Sequence, residues 1–461
     1  MQIGLGIGIP FTKSQVWLAV QAVFTPAKLF ESGANGLWLD PSDPTTMFQD
    51  AAGTTPVTAV EQPVGRILDK SGRGNHAFQS NLANRPTLSA RYNLLTKTED
   101  ISSADWSVYL VASRTATKFI PSTAGGEHYI VNSSSKSSGA VQYTAIFDVK
   151  DEGYGFSPIV IGDWSGPSAS NGWYFCVDVS NGNYTAPKTF GSGWTVGIVS
   201  INRDSVTGIC TVTCVFTTSA VSTRVGIGVY AYPSLKDTSP FSFAGNASFG
   251  IYLSKVSLVP TNQASLPYQR VNTSTDYDSD PTKFPWYLKF NGTSSSLQTA
   301  SINFTATDKM FVAAGVRKLI DGQANLVAEL SNNFTNSGSF GIFATAGASI
   351  PQPAFASAGT SRQVTYPATG YNAPITNVLS GIGNISGDQA ILRVNGTQAA
   401  ISTADQGTGN FGNYPLYIGA RAGTSLFFNG YLYQLVIVGK QASADEITST
   451  ETFINTKTKA Y

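Results

Sequence analysis

The sequence predicts an all-β protein built of two β-sandwiches, with short helices near its two ends. Three observations predict this. Gly (45), Tyr (20) and Phe (26) are abundant, and Ser, Thr and Asn fill the spaces between them, a composition for strands and turns. Short runs alternate apolar and polar residues, with turn formers between them. A sustained helical period appears only in the last twenty residues.

The chain begins with MQIGLGIGIP, in which Gly4, Gly6 and Gly8 alternate with Ile3, Leu5, Ile7 and Ile9. A dinucleotide fingerprint needs a strand before its glycines and a helix after them, and Pro10 closes the run instead. A flat strand lacking side chains on one face fits better. Residues 1–29 are therefore expected to anchor the protein to a partner chain by strand addition, with Ile3, Leu5, Ile7 and Ile9 filling the partner's pockets. The alternative is that this strand pads the edge of its own sandwich. The apolar run Trp17–Phe24 is too short to span a bilayer and has no basic segment before it, so neither a membrane span nor a secretion leader is expected.

Thr25, Pro26 and Gly33 read as cap, first turn and stop of a short helix. GLWLDPSD then gives a strand that ends at Asp40, Pro41, Asp43 and Pro44. From 91 to 282 the strands AVQYTAIFDV, GWYFCVDV, GWTVGIVSI, ICTVTCVFTT and VGIGVYAY follow at sandwich spacing. A wholly polar stretch, NTSTDYDSDPTK, separates them from a second series that starts at Trp286. SADEITSTETFINTKTK closes the chain as a helix, with Ser443 and Glu446 as a capping box and Ile447, Phe453 and Ile454 on its apolar side.

Several of these strings resemble known domains. GLWLDPSDPTTMFQDAAGTTPVT, PVGRILDKSGRGNHAFQ and RPTL resemble the opening of the laminin-G-like, concanavalin A-like sandwiches of bacteriophage virion proteins. YLKFNGTSSSLQT, DKMFVAAGVRKL, ILRVNG and FFNGYLYQLVIVGKQASADEITSTETFI resemble the rest of that domain. Between them, NLLTKTEDISSADWS and FGIYLSKVSLVPTNQASLPYQRV resemble the two ends of a carbohydrate-binding-module-like jelly roll from phage tail and spike proteins. The resemblance implies one sandwich from 30–90 plus 283–461, interrupted by a jelly roll at 91–282. It implies a non-enzymatic structural or attachment protein of a virion: a head fibre, spike or tail-associated component. Other virion proteins and further copies of this chain would be its partners. The alternative function is a carbohydrate-binding adhesin that recognises host surface polysaccharide, and a glycan hydrolase stands behind both.

Charge and chemistry narrow the choice. Lys and Arg (29) balance Asp and Glu (28), so phosphate neutralisation on nucleic acid is not expected. Concanavalin A-like glucanases carry a Glu-x-Asp-x-x-Glu strand, and no such string occurs. Asp148, Asp151 and Glu152 read as a turn, and the two histidines, His76 and His128, as turn or surface residues. Cys210 and Cys214 share a strand face roughly 13 Å apart, too far to bridge, and read with Cys176 as buried thiols.

Asp276, Asp278 and Asp280 have the one-three-five spacing of a calcium loop. Pro281 and Tyr287, however, stand where such a loop needs Gly and Glu. A solvated linker is the preferred reading, with calcium as the alternative and no other cofactor expected. Sugar recognition asks for aromatic platforms beside polar partners. In GDWSGPSASNGWY, Trp164 is the expected exposed ring, with Asp163 and Tyr174 beside it. Trp38, Trp173, Trp194 and Trp286 are expected in cores.

Overall fold

The computed structural model describes residues 24–461, except for 137–138, 166–167, 262–263, 265–267, 273–284 and 333–335. The anchor residues Ile3, Leu5, Ile7 and Ile9 and the carboxylates Asp276, Asp278 and Asp280 lie outside the described residues. The fold is all-β, with a single α-helix, Ala444–Thr458, among the described residues. The element near the beginning is a 3₁₀ turn, Pro26–Phe30, whose Thr25 cap makes no side-chain hydrogen bond.

Two sheets draw their strands from both flanks of the chain. In the eight-stranded sheet, the strand Asn429–Val438 has Lys309–Lys318 along one side. Two short strands share its other side end to end. Tyr287–Asn291 pairs with residues 429–432, and Gly36–Leu39 pairs with 435–438, placing Leu37 opposite Ile437. The nine-stranded sheet begins with Met47–Phe48, Arg66–Ile67 and Ala77–Phe78 and continues through Leu297–Asn303 and Asn413–Ile418.

The two sheets enclose one core that includes Leu37, Leu39, Leu288, Phe290, Phe340, Ile342 and Leu432. Period-two alternation turns Trp38, Phe311, Val436 and Val438 to the opposite face, where Leu29, Phe30 and Ile454 cover them. This explains why GLWL is apolar throughout: both of its faces are buried. The covering helix carries its expected capping box, in which Ser443 Oγ accepts from Glu446 N–H and the Glu446 carboxylate accepts from Ser443 N–H.

A second pair of sheets draws only on residues 107–260. One carries Gly172–Asp178, Phe156–Gly162, Arg224–Tyr230 and Tyr129–Ser135 side by side, with Ser107–Tyr109 at the edge. The other carries Thr195–Arg203, Cys210–Thr217, Gln142–Glu152 and Gly250–Pro260. Between them lie Trp106, Phe147, Trp173, Phe175, Trp194 and Phe216. Cys210 and Cys214 point into this core from one strand face, and all three cysteines are buried and free.

Where the chain enters and leaves this pair of sheets, Gln269 joins the two crossing segments. Its Oε1 accepts from the N–H groups of Tyr92 and Asn93, and its Nε2 donates to the Ala90 carbonyl. Trp286 is half-buried against the cluster of Val60, Ala90, Tyr92 and Val259 at this crossing.

Candidate functional site

The site is an aromatic groove on the outer face of the sheet that carries Arg224–Tyr230. Alternation sends Val225, Ile227 and Val229 into the core and leaves Gly226 and Gly228 facing outward. A Cβ at Gly228 would stand 2.5 Å from Trp164 Cζ2, and one at Gly226 would stand 2.9 Å from Trp164 Cδ1. The two glycines are therefore required for space, and the indole lies against bare backbone.

Around it, Tyr129, Val160, Tyr230, Tyr232 and Phe241 form a cluster, with Tyr174 and Phe190 packed at its side. Tyr129 is the hub. Its ring centroid is 4.6 Å from that of Tyr230, 5.6 Å from that of Trp164, and 5.5 Å from that of Tyr109, which stacks on it at 18°. Tyr109 is 47% exposed and shows its ring to solvent.

Two hollows open along this face and share Glu127 and Ser168. The first, about 300 Å³, is lined mainly by rings, including Trp164, Tyr174, Phe190, Tyr230 and Phe241. The second, about 370 Å³, lies over Tyr109 and Tyr129. Glu127 stands at the boundary, on the short strand Gly125–Glu127 that pairs with Ser242–Ala244, and its Oε1 accepts from Phe241 N–H at 2.9 Å. Burial, followed by the Glu127 carboxylate and Tyr109, pushes the Tyr129 hydroxyl up to about 12. Burial, then Glu127 and Tyr129, raises Tyr230 as well. Both phenols thus stay protonated and able to donate. Trp164 Nε1 and Asp163 Oδ1 are buried with no hydrogen-bond partner among the described residues.

The structure changes several expectations. Trp164 is not an exposed ring: it is 4% exposed, roofed by its neighbours over the two glycines. Tyr174 joins it on the lining of the first hollow, whereas Asp163 does not line either one. Sequence reasoning missed Tyr109, Glu127, Tyr129 and Tyr230. The outward glycines in VGIGVYAY, next to an aromatic pair, were the signal that could have found them.

His128 is fully buried, with Nδ1 against the Leu110 carbonyl (2.7 Å) and Nε2 against the Phe243 carbonyl (3.1 Å), so it packs the hairpin that carries Glu127. His76 does lie at a turn, where its Nδ1 accepts from Asp69 N–H. Asp148, Asp151 and Glu152 are not a turn, because the strand Gln142–Glu152 runs through them, and Asp148 accepts from Thr211 Oγ1. Among the described residues no group of three or more His, Cys, Asp and Glu is placed to hold a metal ion. No helix among them is long and apolar enough to cross a membrane.

No family model matches the chain, and no curated protein sequence matches it. Among solved structures it is similar to the CBM40 module of Ruminococcus gnavus IT-sialidase, at 14% identity and a TM-score of 0.27, over 33% of this chain and 97% of that one. It is also similar to the binding domain of botulinum neurotoxin serotype C1, at 11% identity and a TM-score of 0.27, over 34% of this chain and 40% of that one. The binding domain of Paraclostridial Mosquitocidal Protein 1 is similar at 15% identity and a TM-score of 0.29, over 37% of this chain and 43% of that one. The match spans less than half of either of these two binding-domain chains. These are β-rich likenesses of low score, and the groove itself is what bears on function.

Proposed function

We propose that this chain is a carbohydrate-binding attachment protein whose recognition site is the groove between Tyr109 and Trp164. The observation that carries the reading is a continuous run of rings on a sheet's outer face, with Glu127 at its middle and hydroxyls of Ser168, Thr189, Ser239 and Ser242 along its sides. Sugar C–H faces stack on rings, and sugar hydroxyls need acceptors and donors at the edge of the stack.

The role is binding without hydrolysis. Glycoside hydrolysis uses two carboxylates about 5–9.5 Å apart, and among the described residues the two hollows are lined by one, Glu127. The sequence resemblance to virion sandwiches supports a place in the host-attachment apparatus of a bacteriophage, with other virion proteins and further copies of this chain as partners. The resemblance likewise supports treating 30–90 plus 283–461 as one domain and 91–282 as another inserted in it.

The test is a bacterial-glycan array probed with the protein and with Tyr109→Ala. The wild type is expected to bind defined glycans, and the variant to lose at least tenfold in affinity at an unchanged melting temperature. Absence of binding to any glycan, or full binding by Tyr109→Ala, would overturn the reading.

A further inference from the structure

We infer that the nine-stranded sheet carries a second ligand site, in which Arg66 binds a singly charged oxyanion, a carboxylate or a phosphodiester, on a sugar-sized skeleton. This site is separate from the aromatic groove and does not depend on the glycan-binding reading.

The short strands Arg66–Ile67 and Ala77–Phe78 pair with Arg66 opposite Phe78 and Ile67 opposite Ala77. Ile67 and Ala77 enter the core, so Arg66 and Phe78 stand on the outer face of the sheet. A hollow of about 450 Å³ opens there, and its lining includes Arg66, Asn75, His76, Phe78, Ser80 and Ala300. Small-molecule sites occupy about 300–1,000 Å³.

Arg66 brings a charge that the fold does not balance. Its Nη1 donates to the carbonyls of Ala51 (3.4 Å) and Ala52 (3.3 Å), and no carboxylate pairs with it among the described residues. Its Nε is buried and offers nothing to a ligand. Nη2 is the group left, with no acceptor among the described residues and, unlike Nε, open to solvent. The neighbouring carboxylates are committed elsewhere. Asp50 accepts from the N–H groups of Gly53, Thr54 and Thr55, and Asp69 from those of Trp38, Ser71 and Asn75. A Cβ at Gly53 would stand 3.2 Å from Arg66 Cδ, so the bare glycine lets its loop close on the arginine stem.

His76 adds a donor of fixed sense to the same hollow. Its Nδ1 accepts from Asp69 N–H at 3.0 Å, which places the proton of the neutral ring on Nε2. Burial, then the Arg66 charge, lowers the imidazole from its ordinary value against the pull of Asp69, so the ring is neutral at pH 7. Nε2 is neither buried nor partnered among the described residues.

The described lining thus holds one fixed positive charge, a neutral ring N–H and no carboxylate. One positive charge balances one negative charge, as a carboxylate or a phosphodiester supplies. A phosphate monoester carries about −1.5 to −2 at pH 7 and would leave charge without a cation. Phe78 and Ala300 give the C–H face of the ligand an apolar wall. His76 Nε2 then donates to the anion or to a hydroxyl beside it.

Ligand-observed NMR titration of the full chain with methyl glucuronide, bis-glycerol phosphate, methyl glucoside and glucose 6-phosphate tests the site. At least one of the first two is expected to bind at least fivefold more tightly than either of the last two, and the stronger names the source of the charge. Ala300 is exposed, so Ala300→Glu adds a carboxylate to the lining without disturbing the core. That variant is expected to lose at least fivefold in affinity for the preferred anion at an unchanged melting temperature. Ala300→Gln, its neutral counterpart, is expected to lose less than twofold, and Arg66→Gln at least fivefold. Tyr109→Ala, in the groove, is expected to leave anion binding unchanged. Equal binding of methyl glucoside, or full anion binding by Arg66→Gln or Ala300→Glu, would overturn the site. Tighter binding of glucose 6-phosphate would overturn the single-charge assignment. Loss of anion binding in Tyr109→Ala would move the anion to the groove and overturn the inference as well.

Discussion

The Asp69 carboxylate accepts a hydrogen bond from the backbone N–H of Trp38 at 2.8 Å, tying the turn at 69–76 to the strand Gly36–Leu39. The same carboxylate accepts from Ser71 N–H, Ser71 Oγ and Asn75 N–H, so one side chain shapes the whole turn. Lys70 N–H returns a bond to the Trp38 carbonyl, and Lys70 Nζ stands 4.9 Å from the centroid of the Trp38 ring. Because Gly36–Leu39 also pairs with the strand Asn429–Val438, this turn is fastened to strands from both flanks of the chain.

Asp69→Ala should therefore destabilise the protein by about 3–5 kcal/mol, because several buried donors lose a charged acceptor at once. Urea unfolding checks this. A loss below about 1 kcal/mol would mean that water replaces the carboxylate.

Gly228→Ala should disturb the groove from beneath. The new methyl meets Trp164 Cζ2, and the indole must lift. The expected cost is about 1–3 kcal/mol of stability, together with a weakened affinity for glycan. Trp fluorescence and titration on the same sample read both.

Glu451→Ala should loosen the C-terminal helix. Glu451 is 1% exposed, and its two oxygens accept from Arg393 Nε (2.8 Å) and Nη2 (2.9 Å). Removing it strands a partly buried guanidinium, at about 3–5 kcal/mol. Hydrogen exchange across 444–458 should rise more than exchange in the strand Asn429–Val438. Equal increases in both would indicate global unfolding instead.

Acid should destabilise the fold. Despite burial, Lys309 and Ser386 hold the Asp308 carboxyl at about 2. Lys457 and Ser42, with Lys70, hold Asp40 below the usual carboxylate range against its burial. Both groups have depressed values in the folded state, so the stability they contribute is complete above about pH 4 and is lost as pH falls through each folded value, about 2 for Asp308. The melting temperature should fall through this window. Lys457→Met should flatten the part of the fall that belongs to Asp40.

Residues 91–272, expressed alone, should fold into a monomer that retains glycan binding. Among the described residues their strands pair only with one another, in two large sheets around one core and a two-stranded ribbon, and Gln269 accepts from Tyr92 and Asn93 N–H to join the segments at entry and exit. Circular dichroism and titration of this fragment are the measurement. An unfolded fragment would make the flanking sandwich part of the same folding unit.

The sequence by itself determined the local structure. Alternation of apolar and polar residues set the strands and their inner faces, as in Cys210–Thr217, where Cys210, Val212, Cys214 and Phe216 all turn inward. Ser443 and Glu446 fixed the start of the terminal helix, because a capping box closes within three residues. The run GLWL read as a strand, and the burial of both its faces came only with the tertiary structure.

Only the tertiary structure decided the groove. Tyr109, Glu127, Trp164, Phe190 and Tyr230 come from five separate elements or loops, and they meet because strands distant in sequence pair side by side. A loop tryptophan beside Asp163 and Ser165 looked solvent-facing, yet an outward glycine pair sixty residues on gave it a place to lie. Likewise, polar Asp148 and Glu152 suggested a turn, whereas ladder pairing with the strands Cys210–Thr217 and Gly250–Pro260 kept them extended. Periodicity reports which way a side chain points along its own strand. It does not report which other strand will stand beside it, and that is settled by the burial of whole faces.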